Sequence, residues 1–159
     1  MDTLYIHNGT QFREATSEEI IASAQVLISQ RFQIGSEPMR NPDLVGAYLR
    51  LHFAALDYEV FGVLHLDASR RLIAVEEMFR GTLNSATVHP REIAHSALTR
   101  RTTSVILFHN HPSGLATPSE ADQDITWKIQ KGLGLFDIKV LDHIIVAETI
   151  FSFSNAGLL

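Results

Sequence analysis

The chain contains no cysteine, which excludes thiol nucleophiles, disulfides, thiolate zinc sites and iron–sulfur clusters together. Any metal it binds must be held by nitrogen and oxygen. Positive charge is also short. Thirteen Lys and Arg against 18 Asp and Glu give a formal net charge of −5, without the broad positive field that attracts phosphate backbones. Nucleic acid is therefore a disfavoured partner, although a local basic stripe stays compatible with one. No run approaches the ~18 apolar residues of a membrane span. The opening stretch, MDTLYIHNGTQFREAT, carries acidic residues and no apolar segment of the kind found in signal peptides. A cytoplasmic protein with no membrane partner is expected. Internal repeats, low-complexity tracts and interdomain linkers are lacking too. What is there is a chain of 159 residues, 45% hydrophobic and 19% charged, the make-up of about one domain with a core of its own.

The apolar pattern predicts an α/β chain. Thr16 and Glu19 have capping-box spacing. Ile20, Ile21, Ala24, Leu27, Ile28 and Phe32 then recur at helical spacing, which predicts one buried stripe. After a turn from Gly35 to Pro42, Asn41-Pro42 opens a second helix with Leu44, Val45, Tyr48, Leu49 and Phe53 as its apolar face. From Glu59 the period changes. The segments EVFGVLHLD and RLIAVEEMF, parted by Asp67-Ala68-Ser69, predict two adjacent antiparallel strands. Beyond a break at Gly81-Thr82, Pro90 to Arg100 reads as a helix with Ile93, Ala94, Ala97 and Leu98 inward. Thr102 to Phe108 is an apolar run bounded by polar residues, the pattern of a strand buried on both faces. A loop from His109 to Pro118 leads into a helix from Ser119, with Ala121, Ile125, Ile129 and Leu133 on one side. DIKVLD, HIIVA and FSF predict two or three short closing strands. Residues 1–40 read as an accessory helical segment and residues 41–159 as the main body.

The stretch FHNHPSGLATPSEAD carries the chemistry. If strand geometry persists through His109 and His111, side chains two apart point the same way and two imidazoles can meet one ion. Pro112, Gly114 and Pro118 make the next loop a defined turn that delivers Asp122 in the first turn of the following helix as a third ligand. Two imidazoles and a carboxylate leave a fourth tetrahedral position for water, the arrangement of a catalytic zinc site. Plainer readings stand beside this one. His111-Pro112 can simply end a strand, and Ser119 with Asp122 has N-cap spacing, which stabilises a helix by roughly 1 kcal/mol without any chemistry. The two roles of Asp122 compete, because a carboxylate that ligates zinc cannot serve the helix N-terminus in full.

The joint pattern His109, His111, Ser119, Asp122 resembles the JAMM (MPN+) metalloprotease motif, His-x-His, seven residues, Ser-x-x-Asp. GTLNSATVHPREIAHSAL, VILFHNHPSG and KVLDHIIV are similar to the RadC-like JAB domain family of bacteria, over roughly Pro42 to Leu159. The resemblance implies the JAB/MPN fold, related to cytidine deaminases: a mixed β-sheet flanked by helices, here with an N-terminal accessory helix. It also implies a catalytic glutamate where Glu59-Val60-Phe61-Gly62-Val63-Leu64 stands, able to take a proton from zinc-bound water and return it to the leaving amine. Glu76 and Glu77 are rivals in the next strand, outside that pattern, and a solvated strand end is the plain reading of Glu59. Ser119 is implied as the donor that steadies the oxyanion, with capping as its other reading. Asn110 stands where other JAMM members often have Ser or Thr, and HNHPSG matches the RadC-like form.

The remaining polar residues carry weaker signals. Asp142 and His143 support the metal site or are structural; His89 to Glu92 is a helix entry that could touch substrate. His7, His52, His65 and His95 read as ordinary surface or helix-face residues. Arg91, Arg100 and Arg101 read as a solvated face or a partner contact.

The resemblance implies a Zn²⁺-dependent peptidase or isopeptidase with a peptide or isopeptide-linked protein substrate. A second class of function is a DNA-associated module without peptidase activity, because the RadC name was attached to DNA repair; longer RadC-like proteins carry a helix-hairpin-helix region for which the first forty residues look too short. A third is a metal-stabilised scaffold without turnover, disfavoured because Glu59, His109, His111, Ser119 and Asp122 are all present. A deaminase is disfavoured, because its Pro-Cys-x-x-Cys signature needs cysteines that this chain lacks.

Overall fold

The computed structural model describes all residues except 1, 2, 8, 33, 34, 36, 37, 40 and 82–87. Thr82 of the expected break at Gly81-Thr82 and part of the turn from Gly35 to Pro42 therefore lie outside the described residues. A two-stranded hairpin, β1 (Tyr5–His7) and β2 (Phe12–Glu14), precedes α1 (Ser17–Arg31). Then come α2 (Pro42–Phe53), β3 (Val60–Leu66), β4 (Leu72–Arg80), α3 (Pro90–Thr99), β5 (Ser104–Asn110), α4 (Glu120–Gly134), β6 (Lys139–Val146) and β7 (Ile150–Ser152). The last five strands make one mixed sheet in the order β4-β3-β5-β6-β7. β3 runs antiparallel to β4 and β5, β5 is parallel to β6, and β7 returns antiparallel.

Alternation along the central strands divides the core in two. Val60, Leu64, Leu66, Ile106, Phe108, Ile144 and Val146 meet Val45, Leu49 and Phe53 of α2 on one face. Phe61, Val63, Val105 and Leu107 meet Ile93 and Ala97 of α3 and Ile129 and Leu133 of α4 on the other. All seven residues of β5 are buried, as its uninterrupted apolar run predicts. This is the JAB/MPN arrangement, a mixed sheet flanked by helices. The helix starts follow their caps: Thr16 and Glu19 exchange hydrogen bonds as a capping box, and Asn41 accepts from the N–H groups of Asp43 and Leu44.

Several packing expectations are corrected. On α1, Ile20, Ile21 and Leu27 are 36%, 56% and 63% exposed, while Ile28 packs half-buried against the core and Phe32, just past the helix end, enters it. The reason is that α1 packs chiefly along α2. Leu98 and Ala121 are exposed as well. DIKVLD and HIIVA form one continuous strand, β6. Its ladder with β5 shifts register between Val105 and Ile106, so Leu141 is bulged out; Asp142 then pairs with Ile106 and His143 with Leu107. That one extra residue turns His143, and not Asp142, toward α4.

Candidate metal centre

β5 delivers both histidines. His109 lies inside the strand, and His111 stays extended beyond its end because its N–H donates to the Val146 carbonyl at 2.8 Å. The two rings project to the same side, with centroids 4.7 Å apart. A turn closed by the Gly114 N–H on the His111 carbonyl follows, with Gly114 at φ +82°, a conformation glycine adopts without cost. The loop brings the N-terminus of α4 back over the end of β5. Asp122, 1% exposed, enters beneath the two rings.

Donor atoms from the three residues converge. His109 Nε2 lies 2.9 Å from His111 Nε2 and 3.3 Å from Asp122 Oδ1, and His111 Nε2 lies 3.8 Å from Asp122 Oδ2. Ligands of a tetrahedral zinc ion with bonds near 2.05 Å are about 3.3 Å apart, close to the separations of His109 Nε2 from His111 Nε2 and from Asp122 Oδ1. His111 Nδ1 lies 2.7 Å from the Leu115 carbonyl oxygen, which can only accept, so His111 carries its proton there and presents a lone pair at Nε2. Among the described residues His109, His111 and Asp122 are the one cluster able to hold a metal ion in this way.

The competition expected at Asp122 is resolved by its two oxygens. Oδ2 accepts from the Ser119 N–H at 2.8 Å and from the Ser119 hydroxyl at 2.7 Å, closing a capping box, while Oδ1 faces His109. Burial alone would raise the Asp122 carboxyl, but the hydrogen bond and charge of His109 and the two bonds from Ser119 hold it well below the ordinary carboxylate range. A buried anion at a helix N-terminus suits that end of the helix dipole.

The family model of the RadC-like JAB domain matches residues 39–158. The chain belongs to the RadC-like JAB domain family. Curated relatives are UPF0758 proteins. One from Leptothrix cholodnii is 48% identical over 80% of this chain and 58% of its own length. Others, from Methylibium petroleiphilum and Pseudoalteromonas translucida, are 49% and 52% identical, each over 75% of this chain and 54% of theirs. The chain thus spans little more than half the length of these relatives.

Within this JAB domain, Glu59 immediately precedes β3. Phe61 pairs with His109 in the ladder, so continuing that register sets Glu59 opposite His111, half-buried. Asn110 brackets it: the side-chain carbonyl accepts from the Val60 N–H at 2.6 Å, and the amide donates to the Tyr58 carbonyl at 2.9 Å. Both rivals are committed elsewhere. Glu77 is paired with Arg80. Glu76 faces His65, Ser96 and Arg100. Gly62 of the same motif is required by packing, because a Cβ there would lie 2.2 Å from the Phe108 ring.

The structure also corrects and extends the reading of the other polar residues. His65 is not a surface residue but 0% exposed, joined to Thr102, Glu76 and Ser96. Burial and the Arg100 charge push its pKa down, with Glu76 opposing. Arg100 belongs to that network, and Arg91 pairs with Glu92. His89 caps nothing with its side chain. Asp142 secures the chain end, accepting from Ser152 and from the N–H groups of His143 and Ser154. His143 is fully buried against His109, at 2.8 Å, and beside Thr126; burial and then the His109 charge push its pKa well below the ordinary value. Thr126 carried no sequence signal except its place one helical turn after Asp122, on the same face of α4.

Proposed function

We propose that this chain is a zinc-dependent hydrolase of the JAMM type, acting on peptide or isopeptide bonds of a protein substrate in the cytoplasm. The observation that carries it is the meeting of His109 Nε2, His111 Nε2 and an Asp122 oxygen at the end of β5, with spacing that suits a tetrahedral zinc ion. His111 and Asp122 offer acceptors there, and His109 with its proton on Nδ1 adds a third, a donor set that suits a cation. Zinc bound there supplies Lewis acidity and lowers the pKa of water toward neutrality.

The chain's own residues do the rest. Glu59, set across from His111, receives the proton of the attacking water on its carboxylate and passes it to the leaving nitrogen. Ser119 holds Asp122 in place in the resting state. Its hydroxyl turns to donate to the scissile carbonyl oxygen as that atom gains charge. Beside His111 an open groove runs between Arg50 and Glu148 over Ala54, Ala55 and Ala147, giving an extended chain room to approach. In the alternative DNA-associated reading, Arg91 and Arg101 stay exposed on the basic stripe, while Arg100 is engaged with Glu76 and Ser96.

A panel of peptides and isopeptide-linked proteins, offered to the zinc-loaded wild type and Glu59→Gln, tests the proposal. Hydrolysis by the wild type, reduced roughly 100-fold or more in the variant at equal zinc content, is expected. Turnover indifferent to Glu59→Gln would contradict it.

A further inference from the structure

The hydroxyl of Thr126 has two partners, the Asp122 carbonyl oxygen and His143 Nδ1, each at 2.5 Å. A carbonyl oxygen only accepts, so the single hydroxyl proton must go to it. His143 Nδ1 must then donate to the hydroxyl oxygen. The His143 ring is enclosed by Phe61 and Phe153, and with its one ring proton on Nδ1 its Nε2 is an acceptor. His109 Nδ1, 2.8 Å away, therefore donates to it, and His109 keeps a lone pair at Nε2. Without this chain of bonds His109 could carry its proton on Nε2 and give it to Asp122 or His111. The cluster would then satisfy itself with no cation.

We propose that Thr126 and His143 are positioning residues: they lock His109 in its Nδ1–H tautomer, so that the His109, His111 and Asp122 cluster is set to receive a divalent cation before one arrives. The proposal rests on the reading of that cluster as a metal site and goes beyond it, by saying what prevents the cluster from closing on its own proton. The bulge at Leu141 gains a purpose, since it turns His143 to where the chain of bonds needs it.

Two measurements test it. In metal-free wild type at pH 8, long-range nitrogen–proton NMR correlations assign the tautomer of each ring; protons on Nδ1 of both His143 and His109 are expected, and a proton on Nε2 of His143 overturns the proposal. Zinc titration of wild type, Thr126→Val and Thr126→Ser then reads the consequence. Affinity should fall about 10- to 100-fold in the valine variant and return with serine, which restores the hydroxyl. Equal affinity in wild type and Thr126→Val overturns the proposal. Should the wild type take no zinc, the metal reading falls, while the NMR assignment still upholds or overturns the tautomer lock. That assignment requires no variant to fold.

Discussion

Single atoms decide what this site can be. Asp122 serves two masters because its oxygens face different ways, Oδ2 toward Ser119 and Oδ1 toward His109. Gly62 shows the same economy in packing. Adding one methyl group there meets Phe108 at 2.2 Å and the Glu76 carbonyl at 2.8 Å. Gly62→Ala should therefore cost about 1–3 kcal/mol in urea denaturation, as overpacked cores do, and Phe108→Leu in the same chain should recover part of it. A neutral Gly62→Ala would show that the strands part more easily than described. His109, His111 and Asp122 were legible because a period of two along a strand and a short Pro- and Gly-bearing loop leave few places for them to go. Thr126 was not, since nothing local distinguishes a helical threonine that grips a distant histidine from one that faces solvent.

Elements place these atoms, and their placement depends on contacts that sequence patterns do not contain. The stripe on α1 is a true helical pattern, yet the helix lies along α2 and leaves Ile21 and Leu27 in solvent. The hairpin β1–β2 gave no signal at all, being three residues per strand, too short for a period to register. The helices from Pro42, Pro90 and Glu120 were legible because their N-terminal signals and apolar faces agree. Asn110 ties the end of β5 to the start of β3 on both sides of Glu59. Asn110→Ala leaves a buried N–H and a carbonyl without these partners. It should cost roughly 2 kcal/mol and lower any hydrolysis as Glu59→Gln does, with zinc binding within about threefold of wild type. Loss of zinc together with activity would mean that Asn110 supports the ligands and not the glutamate.

Over the whole molecule, two buried histidines set the response to pH in the metal-free state. His65, among Glu76, Arg100, Ser96 and Thr102, and His143, beside His109, both have pKa values below those of an unfolded chain. The unfolded state therefore takes up their protons first, so their contribution is full above about pH 6.5 and declines as pH falls below it. Each group can add a slope of up to about 1.4 kcal/mol per pH unit. Asp122 acts in a separate window, its contribution being lost only as pH falls below about 4. Urea midpoints should thus drop between pH 7.5 and pH 5.5 in chelator, less steeply in His65→Gln; a level midpoint would mean that both rings are hydrated. Among the described residues no helix is long and apolar enough to cross a membrane. The central claim is that His109, His111 and Asp122 together hold one zinc ion, and elemental analysis of untagged wild type beside Asp122→Asn tests it most directly. About one zinc per chain in the wild type and much less in the variant is the expected result. Two proteins equally devoid of zinc after reconstitution would reduce Ser119 and Asp122 to a helix cap and contradict the claim.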